Sequence, residues 1–263
     1  MLYFPRNSKF PIVQVGRGRS IHRLCLLLAT VFLTPLALHA LDPNAPPGSN
    51  FNLSVWELQL PIGSNGTPTT ISNTQLENGF TDSYFFTNSS DGSMAFKDPG
   101  TNCVHYSGSN YCRTELREVN TSGNHVAWSP SGTNKLSATL KVVDAGGGIT
   151  IGQIHLDQAV SSKPLCELYY KSNGDLVMGV EQSTAGGNQI PFNVGHVALG
   201  TKFSYVISYS NNKLTVSING GSATSFDING DLPGVKGYFK AGDYGQSTTQ
   251  ASDDHFFALT ITH

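Results

Sequence analysis

Three short stretches of the sequence concentrate side chains that can bind carboxylates or move protons. The first, at 113–117, reads Arg-Thr-Glu-Leu-Arg, and its two arginines are the only ones after residue 40. The second, at 153–155, reads Gln-Ile-His, and the third, at 238–246, reads Tyr-Phe-Lys-Ala-Gly-Asp-Tyr-Gly-Gln. Guanidinium groups bind carboxylates through a planar fork, and His and Tyr can act as general bases or acids. Any function that needs a guanidinium after residue 40 must therefore use the first stretch.

Each of these stretches has the period of a β-strand, in which residues two apart point to the same face. Leu116, Ile154 and Phe239 then lie on an apolar face, together with Glu118 and Asp243. Taken singly, an Arg-x-Glu-x-Arg strand is usually a solvated salt-bridge ladder that adds little stability. If the three strands share a sheet, however, their polar residues form one surface. That surface would contain Arg113, Glu115, Arg117, Gln153, His155, Tyr238, Lys240, Tyr244 and Gln246.

The rest of the chain favours an all-β fold. Only 13% of residues are charged, against about 25% in an average soluble domain, and the chain has 28 Gly and 13 Pro. Apolar and polar residues alternate over 136–142, 214–218 and 257–261, which predicts strands with one buried face. Hairpin turns are predicted at 173–174 and 211–212, and no long helix is predicted. The pattern indicates an antiparallel β-sandwich or jelly roll.

The first 40 residues have the composition of a secretory signal peptide. They contain five basic residues and no acidic one, and a basic stretch at 17–23 precedes an apolar stretch at 24–38. The apolar stretch is short for a membrane span, and a signal anchor or a buried helix is the alternative interpretation. We therefore expect a signal peptide at 1–40, a linker at 41–50 and one domain at 51–263, in a secreted, extracellular protein.

The cysteines and the glycosylation triplets are consistent with secretion. Cys103 and Cys112 enclose a short polar loop and are predicted to form a disulfide, with two free thiols as the alternative. Cys166 lies in an apolar strand-like stretch and is predicted to be a buried thiol. No ligand spacing indicates a metal site, and 253–255 is predicted to be a solvated loop. Asn-x-Ser/Thr triplets, which predict a glycoprotein, occur at Asn52, Asn65, Asn88 and Asn120.

In this order, the three stretches resemble the signature of the alginate lyases of polysaccharide lyase family 7. That family has an Arg-Thr/Ser-Glu-Leu-Arg strand, a Gln-Ile/Val-His strand and a Tyr-Phe-Lys-Ala-Gly-x-Tyr-Asn-Gln strand. The resemblance covers residues 50–263, and Gly245 departs from it where the family usually has Asn, which puts fine substrate positioning in question. It implies a concanavalin A-like β-jelly roll with a substrate groove across its concave sheet. It also implies cleavage of alginate by β-elimination, leaving 4,5-unsaturated uronate oligosaccharides.

The resemblance further implies roles for individual residues. Removal of the C5 proton needs donors that stabilise an enolate-like transition state, and Arg113 and Gln153 are the candidates. His155 is the candidate base, since its reference pKa of about 6.5 leaves it largely neutral at mildly alkaline pH. Tyr244 is the candidate acid for the departing O4, and would do both jobs on mannuronate. The predicted substrate-binding residues are Glu115, which orients the arginines, Arg117, Tyr238, Lys240 and Gln246; no cofactor or metal is expected.

Other classes of protein share such a fold. A glycoside hydrolase would need two carboxylates across the groove, about 5–5.5 Å or 6.5–9.5 Å apart, whereas Glu115 is the one carboxylate of the three stretches that faces it. A lectin or carbohydrate-binding module would need an aromatic platform, but not this set of Arg, Gln, His and Tyr. Among lyases, a glucuronan or other polyuronate lyase is the nearest alternative.

The charge of the chain bears on its partners. Residues 41–263 contain 11 Lys and Arg against 18 Asp and Glu, a formal charge of −7, which argues against a nucleic-acid binder. A cleft can still focus a local positive field, so the anionic polysaccharide alginate is the expected partner. We expect a monomer with no membrane contact after signal cleavage, acting endolytically. Ile154 between Gln and His indicates a preference for guluronate-containing substrate, by resemblance alone.

Overall fold

The computed structural model describes residues 40–263, so the predicted signal peptide lies outside the described residues except for its last position. Two short helices, α1 (Pro47–Asn50) and α2 (Asn73–Glu77), accompany the strands of this part of the chain. The strands are β1 (Trp56–Ser64), β2 (Thr67–Ile71), β3 (Phe85–Thr87), β4 (Met94–Asp98), β5 (Arg113–Glu118), β6 (Lys135–Asp144), β7 (Ile149–Leu156), β8 (Pro164–Tyr170), β9 (Asp175–Val180), β10 (Ile190–His196), β11 (Phe203–Ser210), β12 (Lys213–Ile218), β13 (Thr224–Phe226), β14 (Gly237–Gly245) and β15 (Ser252–Thr262).

These strands form two antiparallel sheets that pack face to face. The eight-stranded sheet has the order β10-β9-β8-β7-β14-β5-β1-β2, and the seven-stranded sheet has the order β13-β12-β11-β6-β15-β4-β3. Strands distant in sequence, such as β14 and β5, are therefore neighbours in the sheet. The predicted all-β jelly roll is confirmed.

The core lies between the sheets and is built by the alternation visible in the sequence. Trp56, Leu58 and Leu60 on β1 have almost no exposed surface, and the same holds for Leu136 and Leu140 on β6 in the other sheet. Each fully buried side chain of this size stabilises the fold by about 1.5–3 kcal/mol relative to an exposed one. This burial fixes the opposite face of each strand toward solvent, and so determines which side chains can form a site.

The two predicted turns join neighbouring strands. The turn at 173–174 connects β8 to β9, and the turn at 211–212 connects β11 to β12. Asn211 and Asn212 have φ of +51° and +58°, the pair of left-handed residues that a tight hairpin turn of type I′ requires.

The predicted alternation at the C-terminus is confirmed for Leu259 and Ile261, which pack in or against the core, but is wrong for Phe257. A bulge in β15 between Phe256 and Ala258 shifts the strand against β6. As a result Phe256 is fully buried, whereas Phe257 is only half-buried on the outer face. One extra residue in a bulge reverses the side to which every later residue points.

The prediction of a solvated loop at 253–255 is also wrong. These residues belong to β15, and Asp254 and His255 are buried. Neither carboxylate oxygen of Asp254 has a hydrogen-bond partner among the described residues. Burial raises the pKa of Asp254 well above its ordinary value, and the nearby Asp253 and Glu115 add to that shift. Two consecutive aspartates are usually solvated, but in this strand the side chain of Asp254 lies on the inner face and is buried.

The cysteine predictions are confirmed. Cys103 and Cys112 form a disulfide with their Cα atoms 5.7 Å apart. Cys166 is a free, fully buried thiol on β8, and burial raises its pKa to about 12. A thiol with that pKa is protonated at neutral pH, so Cys166 is a packing residue rather than a nucleophile.

Residues 41–50, predicted as a linker, lie against the sandwich. The side-chain amide of Asn50 donates to the carbonyl oxygens of Asp42 at 2.8 Å and of Gly92 at 3.3 Å. In residues 40–263 no helix combines the length and the apolar character needed to cross a bilayer. Glycosylation remains a prediction. Of the four triplets, Asn52, Asn65 and Asn120 are exposed, and Asn88 is half-buried.

Candidate active site

The sheet brings together the three stretches singled out in the sequence, because β14 lies between β7 and β5. Lys240 is opposite Gln153 on one side and Arg117 on the other. His155 is opposite Tyr238, at one end of this row. The polar side chains of these strands point away from the core, and we call this outer surface of the eight-stranded sheet the groove face.

Glu118 and Asp243 point to the other side of the sheet, as the alternation predicts. Glu118 accepts hydrogen bonds from the indole nitrogen of Trp128 at 2.9 Å and from the backbone nitrogen of Phe239 at 2.8 Å. Asp243 is fully buried and accepts a hydrogen bond from Ser252 at 2.8 Å. Both carboxylates are therefore structural and cannot reach a substrate on the groove face.

Glu115 lies at the centre of the groove face, with no exposed surface. Its Oε2 is 2.5 Å from Lys240 Nζ and 3.0 Å from Arg113 NH1, and its Oε1 accepts a hydrogen bond from Gln153 at 2.5 Å. Burial alone would raise the pKa of Glu115, but Lys240 and Arg113 outweigh it and lower the pKa. Glu115 is thus an ionised carboxylate that orients three donors from three strands.

Lys240 is nearly as deeply buried as Glu115, and this sets its charge. Burial lowers its pKa to about 8, with a further contribution from Arg113, while Glu115 opposes the shift. Lys240 is therefore protonated at neutral pH but close to losing its proton. It adds a positive charge to the groove face beside Arg113 and Arg117, which is the field a polyanion would require.

His155 is a neutral imidazole in this setting. Burial lowers its pKa to about 3, and the positive charge of Lys240 is the next cause. Its Nδ1 lies 3.3 Å from the carbonyl oxygen of Leu156, so the tautomer that donates there leaves Nε2 free to accept a proton. The ring stacks on Tyr238 with centroids 5.1 Å apart. This geometry suits a general base.

Tyr244 is a protonated phenol at the other end of the row. Burial raises its pKa, although Arg113 opposes that shift. The guanidinium carbon of Arg113 lies 3.9 Å from the ring centroid, and the phenol oxygen is 3.0 Å from Ser109 Oγ. A phenol held in this way can donate a proton to a leaving oxygen.

A family model described as alginate lyase matches residues 51–263. The chain belongs to the alginate lyase family. A curated alginate lyase of Klebsiella pneumoniae is 28% identical over an alignment that covers 90% of this chain and 99% of the relative.

Solved structures agree with this assignment. The family 7 alginate lyase A1-II′, crystallised with a product, is 32% identical, with a TM-score of 0.76 over 83% of this chain and 99% of that one. An alginate lyase of Pseudomonas aeruginosa is 30% identical, with a TM-score of 0.72 over 80% of this chain and 99% of that one. This alginate lyase is therefore a polysaccharide lyase with the jelly-roll fold of its relatives.

Arg117 is held at the His155 end of the groove face of this alginate lyase. Its guanidinium carbon lies 4.2 Å from the ring centroid of Tyr238, and its NH1 is 3.6 Å from Glu57 on β1. Sequence reasoning missed Glu57, which is opposite Arg117 in the sheet. The alternation of Glu57 with the buried Trp56 and Leu58 indicates that Glu57 lies on the outer face of its strand. The pairing of β1 with β5, however, could not be inferred from the sequence.

Ser109 is the second residue that sequence reasoning missed. It lies in the loop closed by Cys103 and Cys112, and its hydroxyl contacts both Tyr244 and Arg113, the latter at 3.1 Å. The disulfide therefore anchors the loop that positions the phenol. A serine in a Ser/Gly/Asn-rich loop carries no periodic signal, so the sequence offers no means of selecting it.

Gln246 follows β14 and donates to Thr150 Oγ1 at 3.0 Å, which places it on the groove face beyond Tyr244. The sheet adds a further carboxyl there, Glu167 on β8, opposite Gln153. With Glu57 and Glu115, the groove face therefore holds more carboxyls than the three stretches suggested. Glu115 is ion-paired with Arg113 and Lys240, which lower its pKa, so it is not a protonated acid of the kind that a hydrolase requires, and Glu57 is ion-paired with Arg117. No cluster of potential metal ligands occurs within 40–263.

Gly245, where the family usually has Asn, is a position at which a side chain would point away from the groove. A Cβ atom at Gly245 would overlap Asp98 Oδ2. Asp98 is buried on β4, and its Oδ1 accepts a hydrogen bond from Gly100 at 2.6 Å. Gly245 therefore makes room for a carboxyl behind the sheet.

We expect Gly245→Asn to lower the free energy of unfolding by about 1–3 kcal/mol, the usual effect of overpacking. Denaturant unfolding measures it. Asp98→Ala removes the obstructing carboxyl, so adding it to Gly245→Asn should recover part of the loss. An unchanged unfolding midpoint in the single variant would contradict this packing argument.

Proposed function

We propose that this alginate lyase is a secreted enzyme that cleaves alginate endolytically by β-elimination and releases 4,5-unsaturated uronate oligosaccharides. The observation that carries the proposal is the pairing of a neutral imidazole, His155, with a protonated phenol, Tyr244, on one face of one sheet. Between them lie the donors that Glu115 holds. This is the set that elimination needs: a base, an acid and a binding site for a carboxylate.

The carboxylate of the reacting uronate would bind Arg113 and Gln153. Arg113 has a buried Nε that no other group within residues 40–263 accepts from. Loss of the C5 proton places negative charge on the carboxylate, and fixed donors there stabilise the transition state. Losing one such donor typically costs about 10²–10³ in rate.

The proton transfers follow from the protonation states. Nε2 of His155 takes the C5 proton, the electrons of the C5–H bond form the C4–C5 double bond, and the C4–O4 bond breaks. The phenol of Tyr244 gives its proton to O4. This arrangement fits guluronate, whose proton and leaving group lie on opposite faces; on mannuronate Tyr244 would carry out both transfers. The similar lyase A1-II′ has been crystallised with a product designated GGG and a substrate designated GGMG.

Substrate binding should make His155 a stronger base. Lys240, Arg113 and Arg117 contribute to its lowered pKa, and carboxylates of the bound polymer would neutralise these charges and raise the pKa in the complex. The acid limb of kcat/KM reports the free enzyme and that of kcat the complex. The rate is lost as pH falls through the pKa of the base. We therefore expect the acid limb of kcat to lie at a higher pH than the acid limb of kcat/KM.

Profiles measured with short guluronate oligosaccharides test this prediction, and a His155→Gln variant should lose the kcat limb along with most activity. Coincident limbs for kcat and kcat/KM in the wild type would contradict it.

One assay tests the proposed reaction. The purified protein is incubated with poly-mannuronate, poly-guluronate, alternating polymer and glucuronan, and the ultraviolet absorbance of the new conjugated double bond is followed. We expect absorbance to rise on alginate, with a rapid fall in viscosity if cleavage is endolytic. New reducing ends without absorbance would indicate a hydrolase, binding without either product would indicate a lectin, and cleavage of glucuronan alone would indicate the alternative lyase. Recovery of the protein in culture medium tests secretion.

A further inference from the structure

Glu167 is a buried carboxyl on the groove face that the elimination mechanism does not use. It is opposite Gln153 across β7 and opposite Gly179 across β9. Its neighbours Cys166 and Leu168 point into the core, so Glu167 points to the groove face. Three side chains hold its carboxyl: Tyr169, Gln189 and, at 3.4 Å, Thr150.

The side chains of Glu167, Tyr169 and Gln189 form a closed triangle of three polar contacts. The phenol oxygen of Tyr169 is 2.7 Å from Glu167 Oε2 and 2.8 Å from Gln189 Oε1, and Gln189 Nε2 is 2.6 Å from Glu167 Oε2. Each side of the triangle has hydrogen-bond length, so each needs one proton. The amide of Gln189 supplies one proton and the phenol supplies one. The third must be carried by Glu167.

This count does not depend on the orientation of the Gln189 amide. If its oxygen and nitrogen exchange places, the nitrogen donates to Tyr169 and the phenol donates to Glu167. The amide oxygen then faces Glu167 Oε2, and that contact again needs a proton on Glu167. In either orientation the triangle is satisfied by a carboxylic acid and not by a carboxylate.

The burial of Glu167 also favours its uncharged form. Gly179 on β9 leaves the space that Gln189 and Tyr169 occupy, since a Cβ there would overlap Gln189 Oε1. Burial is the main cause that raises the pKa of Glu167, and the negative charge of Glu115 adds to it, while Tyr169, Gln189 and Arg113 oppose it. From β7 the facing groups are the uncharged Gln153 and Thr150. Lys171 contacts the ring of Tyr169, with Nζ 4.4 Å from its centroid.

We propose that Glu167 is a substrate-binding residue of the groove, buried as an uncharged carboxylic acid in the triangle that it forms with Tyr169 and Gln189, so that a polyanionic chain can pass over β8 beside Gln153. The role in substrate binding rests on the proposed function. An ionised Glu167 would place a negative charge next to the site where a uronate carboxylate binds, and would weaken that binding without changing the groups that transfer protons.

Two substitutions of the same residue separate charge from shape. Glu167→Gln cannot ionise, and it keeps the triangle because its amide donates to Tyr169 and to a reoriented Gln189. Glu167→Asp is one methylene shorter, so it cannot span the triangle and admits water to its carboxyl. We expect Glu167→Asp to raise KM for alginate about tenfold at neutral pH, with kcat changed by less than about twofold, as one partly shielded like-charge contact predicts.

The pH profile adds a second readout. In the wild type KM should rise with pH as Glu167 ionises, and the KM of Glu167→Gln should rise less. Lys240, whose pKa burial lowers to about 8, also loses its proton as pH rises, but this loss is common to both proteins. Glu77→Asp, on the exposed surface of α2, is the matched control and should leave KM unchanged.

The proton on Glu167 is tested without substrate. The infrared difference spectrum of wild type minus Glu167→Gln at neutral pH should contain the carbonyl band of a protonated carboxyl. Absence of that band would overturn the proposal, as would equal increases of KM in Glu167→Gln and Glu167→Asp. A wild type with the band but no lyase activity would refute the proposed function and leave the acid form of Glu167 standing.

Discussion

Replacing Tyr244 with Phe should lower kcat on guluronate polymer by about 10²–10⁴, the range for one proton transfer in the transition state. The phenol is protonated because burial raises its pKa, and its oxygen is held by Ser109 at 3.0 Å. Phe keeps the ring over Arg113 and removes only the hydroxyl, and with it the proton to be donated. The measurement is the initial rate of double-bond formation at saturating substrate.

The fold of this variant must be intact for the loss to be chemical. Phe loses one hydrogen bond, to Ser109, which costs about 0.5–1.5 kcal/mol, a small part of the stability of a domain. Thermal unfolding of the variant checks this. Tyr84→Phe, before β3 in the other sheet, makes the same change outside the groove face and should keep the wild-type kcat. A Tyr244→Phe enzyme with the wild-type kcat would contradict the role of Tyr244 as the acid that protonates O4.

Side-chain direction along single strands was predictable from the sequence. The period of two placed Glu115 on one face of β5 and Leu116 on the other, and the structure agrees. The same reasoning placed Glu118 and Asp243 behind the sheet. These predictions succeed because a side chain on a strand points to one of only two faces. Once the apolar residues fix the buried face, the direction of every other residue follows.

Contacts between strands were not predictable from the period. Glu57 and Glu167 join the groove face because β1 pairs with β5 and β8 pairs with β7. The order of strands in a sheet depends on the path of the whole chain, and the local alternation of residues contains no information on it. The neighbourhood of the three central stretches could be expected only from resemblance to a family whose sheet order is already known.

Bulges and loops set a second limit. The bulge between Phe256 and Ala258 in β15 leaves Phe257 off the buried face that alternation predicted for it, and nothing in the local composition marks the bulge. Gly245 looked like a change in the substrate site, but it is fitted to Asp98, which is distant in sequence. Ser109 reaches Tyr244 because a disulfide closes its loop. In each case the cause is a partner that the local sequence does not contain.

Replacing Glu115 with Ala should be the most damaging single change in the groove face. Glu115 is fully buried and pairs with Lys240 and Arg113 at 2.5 and 3.0 Å. Removing one partner of a buried ion pair leaves an uncompensated charge and typically costs about 3–5 kcal/mol. We expect a loss of that order in the free energy of unfolding, measured by denaturant titration, together with loss of activity.

The pH dependence of that loss identifies its cause. Glu115 raises the pKa of Lys240, which burial has lowered to about 8, so in the variant this pKa falls further below its unfolded value of about 10.4. Between the folded and unfolded pKa the unfolded state binds more protons, and stability rises with pH. This rise begins near pH 8 in the wild type and at lower pH in the variant, so the stability gap should narrow as pH approaches 8.

A double variant separates the charge from the chemistry. Glu115→Leu with Lys240→Met replaces the buried ion pair by apolar side chains of similar size, an exchange that is often neutral for stability. We expect it to recover most of the lost stability and none of the activity, because Gln153 and Arg113 lose the carboxylate that orients them. Two results would contradict this explanation: a Glu115→Ala variant as stable as the wild type, or a loss of stability that is the same at every pH. Either would show that an unpaired charge on Lys240 does not cause the loss.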